Sequence, residues 1–389
     1  MCRPTLFCHG NPTGKRSFCG NRTATLGWGQ HARRGVAALT AVGLLALTVG
    51  LLRPTRTAPV ADSGGRPIPG SIAELATIDV NGQRLGLMIR GYSKENPVLL
   101  FLAGGPGGSE LGAMRKHLPD LERHFTVATW DQRGAGRSYP SLDPTSTVTL
   151  EGYVADTLAV TDHLRERFGQ DRIVLVGQSW GALLGVLALQ RAPDRYRAFV
   201  GVGQMVSIRE TDRIFYEDTI AWARSEHHDD LARSLASIGP PPYRSILDYE
   251  TALSYEHEVY PYDHSTNAEG EGGFSENLLV EEYSLIEQVH LLPAFMETFS
   301  ALYPKLQRVD LRRSTPTLGV PVFFVQGAHE ARGRAEPFAE WYGALAAPIK
   351  DVTTLDTSGH RAMFEQPDEF VDYMVDTVLE RTSGGGTGG

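Results

Sequence analysis

The chain has 389 residues and a formal net charge of −9, with 41% hydrophobic and 21% charged residues. That length suits one large α/β domain with an insertion, or two average domains, and the hydrophobic share allows a real core. The acidic balance argues against nucleic-acid binding. The three cysteines, Cys2, Cys8 and Cys19, all fall in the first twenty residues without zinc-ligand spacing, so neither a disulfide framework nor a metal site is expected.

Residues 1–34 form a polar, basic leader. Gly35–Leu52 follow, eighteen residues without a charge between Arg34 and Arg53. Apolar on every face, they read as a transmembrane anchor or export signal, at the short end for a spanning helix and long for a signal peptide. Arg33-Arg34 weakly resembles a twin-arginine signal. Arg3, Lys15, Arg16, Arg22, Arg33 and Arg34 precede this segment, against Arg53, Arg56 and Arg66 after it. The positive-inside rule therefore gives a membrane-anchored or exported chain with its catalytic domain extracytoplasmic. Residues 53–70, rich in Pro, Gly, Ser and Thr, read as a linker.

From residue 71 the pattern is α/β. Asn81-Gly82 between "IAELATIDV" and "QRLGLMIRG" predicts a hairpin. Apolar runs at 97–103, 125–130, 172–177, 197–203 and 320–327 predict strands, with a last one near 349–355. Helical patterns lie between several of them. On the first, Leu150, Tyr153, Val154, Leu158 and Leu164 share a face, and residues 182–191 form a second. Such alternation implies a mostly parallel sheet with helices on both faces. Residues 204–312 break it with a polar helical stretch, including the Gly239-Pro240-Pro241-Pro242 break and the acidic "NAEGEGGFSEN". This predicts a core of 71–203 and 313–383, an inserted helical cap over 204–312, and a flexible tail at 384–389. On the cap's first helix, Glu210, Asp212, Glu217 and Asp218 are mostly a solvated face, but a few could face a bound substrate.

"IVLVGQSWGALLG" (173–185) carries a serine between two glycines where a buried strand becomes a helix. A nucleophile on such a sharp turn needs small neighbours two residues either side, hence Gly177 and Gly181, and faces the helix dipole. Ser179 is the candidate nucleophile; the competing reading is a helix N-cap serine. The base should follow the last strand, and His360 in "LDTSGHRAMFEQP" does so. The acid should follow the run at 320–327. Glu330 is the choice, with Asp356 in reserve and His329 read as loop surface. Oxyanion donors would be the N–H groups of Trp180 and of Gly105, within Gly104-Gly105-Pro106-Gly107-Gly108. A phosphate loop is the rival reading of these glycines, but the GxxxxGK[ST] pattern is missing.

Four motifs in order, "FLAGGPGGSE", "TWDQRGAGRS", "VGQSWGALLG" and "SGHRAMFEQP", resemble those of the α/β-hydrolase fold, specifically the proline iminopeptidase (prolyl aminopeptidase) group of serine hydrolases. The resemblance spans roughly residues 72–203 and 315–380. It implies Ser179 as nucleophile, His360 as base, Gly105 and Trp180 as the oxyanion hole, and Asp131 and Arg133 as braces beside the site. It also implies a cis Gly105-Pro106 bond. Two positions depart from the family: Ala103 stands where His is usual, and Glu330 where Asp is usual. The implied function is release of an N-terminal, proline-type residue from short peptides or amides through an acyl-enzyme, without metal or other cofactor. An esterase, lactonase or other amide hydrolase remains open, as does a catalytically silent hydrolase-fold binding domain. Ser179 argues against dehalogenases and epoxide hydrolases, which carry Asp at this turn.

Overall fold

Asn81 and Gly82 both adopt positive φ, 49° and 76°. They turn β1 (Ile72–Val80) back on β2 (Gln83–Gly91), with Val80 opposite Gln83. The computed structural model describes residues 53–143, 145–243, 245–263 and 275–383, together with Val36 and Thr40. Its sheet has eight strands. Beyond the hairpin these are β3 (Val98–Leu102), β4 (Thr126–Trp130), β5 (Ile173–Gln178), β6 (Tyr196–Val202), β7 (Val322–Gly327) and β8 (Lys350–Leu355). The order is β1-β2-β4-β3-β5-β6-β7-β8. β1, β2 and β4 pair antiparallel, and every other pairing is parallel.

The central strands are apolar throughout because both their faces are covered. Their alternating side chains divide between two cores. Leu100, Leu102, Leu175, Phe199 and Phe324 enter one, and Phe101, Val174, Val176, Val200 and Phe323 the other. Helix α1 (Leu150–Phe168) starts where the Thr149 side chain accepts from Gly152 N–H. Its buried face runs through Tyr153, Val154, Thr157, Val160 and Leu164; of the residues expected there, Tyr153, Val154 and Leu164 are buried, and Leu150 and Leu158 are half-buried. α2 (Trp180–Arg191) follows β5 directly and is buried on most sides.

Between β6 and β7 the chain leaves the sheet through α3 (Ile208–Ser225), α4 (Asp229–Ile238), α5 (Ile246–Leu253) and α6 (Leu285–Leu306). This is the inserted helical cap. Stacked and edge-on rings of Tyr249, Phe299 and Tyr303 pack it together. Tyr303 O–H and Gln307 Nε2 both donate to the buried Asp212, 2.7 Å each. α7 (Arg332–Ala344) joins β7 to β8.

The membrane anchor expected over residues 35–52 needs correction. Among the described residues no helix is long and apolar enough to cross a membrane. The membrane-anchored or exported, extracytoplasmic placement is withdrawn with it. The segment itself, apart from Val36 and Thr40, lies outside the described residues, as do residues 1–34, 264–274 and 384–389. The stretch read as a linker, 53–70, is tied down by side chains. Arg90 donates to Thr57 Oγ1 at 2.9 Å, Arg137 donates to Thr55 Oγ1 at 3.0 Å, and Arg56 grips Glu281.

Candidate active site

Ser179 sits between β5 and α2 with φ 56° and ψ −115°, a conformation that L-residues rarely adopt. The turn is tight enough to exclude side chains on both sides. A Cβ on Gly177 would come within 2.3 Å of Gly181 O, and one on Gly181 within 2.0 Å of Leu102 O. Ser179 N–H is tied to Val202 O at 2.9 Å, fixing the turn against β6.

The loop after β8 carries His360 to this point, and its Nε2 lies 2.9 Å from Ser179 Oγ. The loop after β7 brings Glu330, whose Oε2 lies 2.7 Å from His360 Nδ1. Asp356, the reserve acid, instead accepts from Gln366 Nε2 at 3.1 Å on an exposed turn. His329 is exposed and stacks on Tyr262, with ring centres 5.0 Å apart.

The carboxylate of Glu330 is buried, and its other oxygen accepts from Ala331 N–H at 2.9 Å and Arg334 Nε at 2.7 Å. Burial alone would raise its pKa, but Arg334 and His360 outweigh burial and hold it down at about 2. Arg334 is itself buried, lies 4.8 Å from the Phe215 ring centre, and donates its Nη2 to Glu256 of the cap. Burial opposes its charge, and Glu256 and Glu330 together more than restore it.

The His360 loop is clamped by two residues near the end of its motif, Glu365 and Gln366. Buried Glu365 accepts from Gly359 N–H at 2.9 Å and Arg361 N–H at 3.0 Å. Gln366 Oε1 accepts from Thr357 N–H and the Ser358 hydroxyl. Arg361 donates to Glu110, just past the glycine-rich loop, at 3.0 Å.

That loop follows β3. Gly105 has φ 126°, and a Cβ there would meet the N atoms of Gly107 and Gly108 at 2.6 Å, so only glycine fits. The Gly105-Pro106 peptide is cis. The Trp180 side chain points into the core and donates to Gln132 Oε1 at 2.9 Å; Gln132 in turn donates to Ala103 O at 2.9 Å. This ties the residue after Ser179 to the start of the glycine loop. Nearby, Arg133 grips the buried Asp156 with two 2.9 Å bonds. Asp131 accepts from Arg137 N–H and Tyr283 O–H, while burial pushes its carboxyl up to about 7.

Each of the four acids on α3 already has a partner. Glu210 pairs with Arg312, Glu217 with Arg213, and Asp218 with Arg332 and Tyr260. Asp212 is buried in the cap, where burial lifts its pKa to about 6. Sequence reasoning missed Arg334, Glu256 and Glu365. Only Arg334 left a local signal, four residues after Glu330 on the start of a helix.

Residues 97–367 match the family described as alpha/beta hydrolase fold. A probable aminopeptidase of Bacillus subtilis (strain 168), YbaC, is 29% identical over 311 residues, covering 79% of this chain and 97% of the relative. A proline iminopeptidase of Xylella fastidiosa (strain Temecula1) is 35% identical over 150 residues, 38% of this chain and 44% of the relative. The crystal structure of a proline iminopeptidase from Mycobacterium smegmatis superposes with a TM-score of 0.58 at 19% identity, over 79% of this chain and 98% of that one, which shows a shared fold.

Proposed function

The chain belongs to the alpha/beta hydrolase fold family and resembles its proline iminopeptidase group, and from that premise we propose a serine hydrolase that releases an N-terminal residue from short peptides or amides. The observation that carries this reading is the unbroken chain from Ser179 Oγ through both ring nitrogens of His360 to Glu330. With its proton on Nδ1 and donated to Glu330, His360 presents a bare Nε2 to the serine hydroxyl. As Ser179 attacks the substrate carbonyl, Nε2 takes its proton, and the ionised Glu330 stabilises the imidazolium. The oxyanion accepts from Gly105 and Trp180 N–H. Collapse breaks the C–N bond, His360 returns the proton to the departing amine, and Ser179 keeps the acyl group. Water, deprotonated by His360, then releases the acid and restores the serine.

A second reading, an esterase or amide hydrolase for substrates without a free amine, is favoured by the pairing of all four α3 acids. An ammonium would have to displace one of those partners or find another carboxylate.

Two measurements test these readings. A fluorophosphonate should label wild type at Ser179, and Ser179→Ala should abolish labelling and turnover, a loss of several orders of magnitude. Comparing kcat/KM for free and N-acetylated prolyl or alanyl anilides decides between them. A preference for the free amine supports the aminopeptidase, whereas equal rates, or activity on neutral esters alone, support the second.

A further inference from the structure

Arginines elsewhere in the fold grip a single carboxylate with Nε and Nη2 together, as Arg90 does Glu122, Arg115 does Glu282 and Arg133 does Asp156. That fork is the preferred arrangement of guanidinium on carboxylate. Arg334 departs from it. Its Nε goes to Glu330 Oε1, but its Nη2 is drawn away to Glu256, on the short helix Glu256–Val259 of the cap. The second oxygen of Glu330, which the fork would otherwise take, is the one that meets His360 Nδ1 at 2.7 Å.

From this we infer that Glu256 is a positioning residue: by holding Nη2 of Arg334, it reserves Oε2 of Glu330 for His360. The inference rests on the triad reading above and adds the cap to it. Without Glu256, the guanidinium closes its fork on Glu330 and competes with the imidazole for Oε2. Sharing Oε2 with Nη2 weakens the bond that fixes the tautomer of His360 and supports its charge.

The same cap segment has a second hold on the site. Tyr262 O–H donates to Glu365 Oε2 at 2.8 Å, and Glu365 holds the backbone on both sides of His360. Residues 256–262 therefore reach the acid, through Arg334, and the histidine loop, through Glu365, at separate points.

The test uses the rate at which a fluorophosphonate labels Ser179 in the full chain. E256A should slow labelling about tenfold, within the coupling expected inside one salt-bridge network. E256Q, whose amide oxygen still accepts from Nη2, should be slowed less. In an R334K background, where no fork can form, E256A should add no further loss, which a merely structural role for Glu256 would not predict. The inference is overturned if E256A labels at the wild-type rate, if E256Q is as slow as E256A, or if E256A costs as much in the R334K background as it does with Arg334 in place. Should E256A not fold, E256S, whose short side chain likewise cannot reach Nη2, gives the same comparison in the two backgrounds. Labelling that survives Ser179→Ala would sink the triad reading as well; labelling lost in Ser179→Ala but untouched in E256A would sink only this one.

Discussion

The two sides of the site are held by different forces. On the β5 side, Ser179 is fixed by backbone sterics: its unusual φ and ψ persist because Gly177 and Gly181 leave room for main-chain atoms alone. On the β7–β8 side, Glu330 and His360 sit on loops held by polar side chains, the buried Arg334, Glu365 and Gln366 and the half-buried Glu256. Sterics, within the turn at Gly177 and against the neighbouring strand at Gly181, tolerate almost nothing. Polar networks join segments far apart in the chain, Glu256 to Arg334 across 78 residues and Glu110 to Arg361 across 251, and can loosen in steps.

The largest effect should come from the steric side. Gly181→Ala drives a methyl to 2.0 Å from Leu102 O, an atom of the sheet that has no room to move. We expect loss of activity and a destabilisation beyond ~3 kcal/mol, read by denaturant unfolding. A variant with native stability and turnover would break the contrast.

On the polar side, Glu330→Gln should lower kcat by about three to four orders of magnitude while the fold stays intact, because the imidazole keeps its place but loses its compensating charge. Circular dichroism together with steady-state kinetics checks both halves of this statement.

Arg334→Gln probes the charge that holds Glu330 ionised. A carboxyl with a folded-state pKa of about 2 and an ordinary value of 4.5 stabilises the fold fully above the ordinary value, and loses that contribution as pH falls through the folded one. The stake is about 3 kcal/mol at one pKa unit per ~1.4 kcal/mol. Wild-type stability should therefore rise between about pH 2 and pH 4.5 more steeply than that of Arg334→Gln, with the gap widest above that window. Parallel curves would mean that Arg334 does not set the Glu330 pKa.

Glu365→Gln removes the charge that gathers Gly359 N–H and Arg361 N–H but keeps an acceptor, so about a tenfold fall in kcat is expected, with KM little changed. At the small end, Asp356→Ala should stay within about twofold of wild type, since surface substitutions seldom matter.

Much of this was legible in the sequence because it depends on neighbours. The Asn81-Gly82 hairpin, the apolar strands and the small-Ser-small turn at β5 are each set by residues within a few positions, where turn geometry and side-chain period dictate the outcome. The order of the strands along the chain also left few places for a histidine and an acid, which pointed to His360 and to Glu330, with Asp356 in reserve. The apolar run at 35–52 shows the limit of such reading: hydropathy alone suggested a membrane span that no described helix provides.

Only the tertiary structure decided the rest. Nothing in "GAHEARGRAEP" tells that Arg334 gives one nitrogen to Glu330 and the other to Glu256, because that choice depends on where the cap lies over the sheet. Nor does the helical pattern of 208–225 tell that Glu210, Asp212, Glu217 and Asp218 are each already paired. A turn is a short-range steric fact written into adjacent residues. The partner of a buried charge is set by which segments the folded chain brings within about 3 Å, and sequence order does not carry that distance.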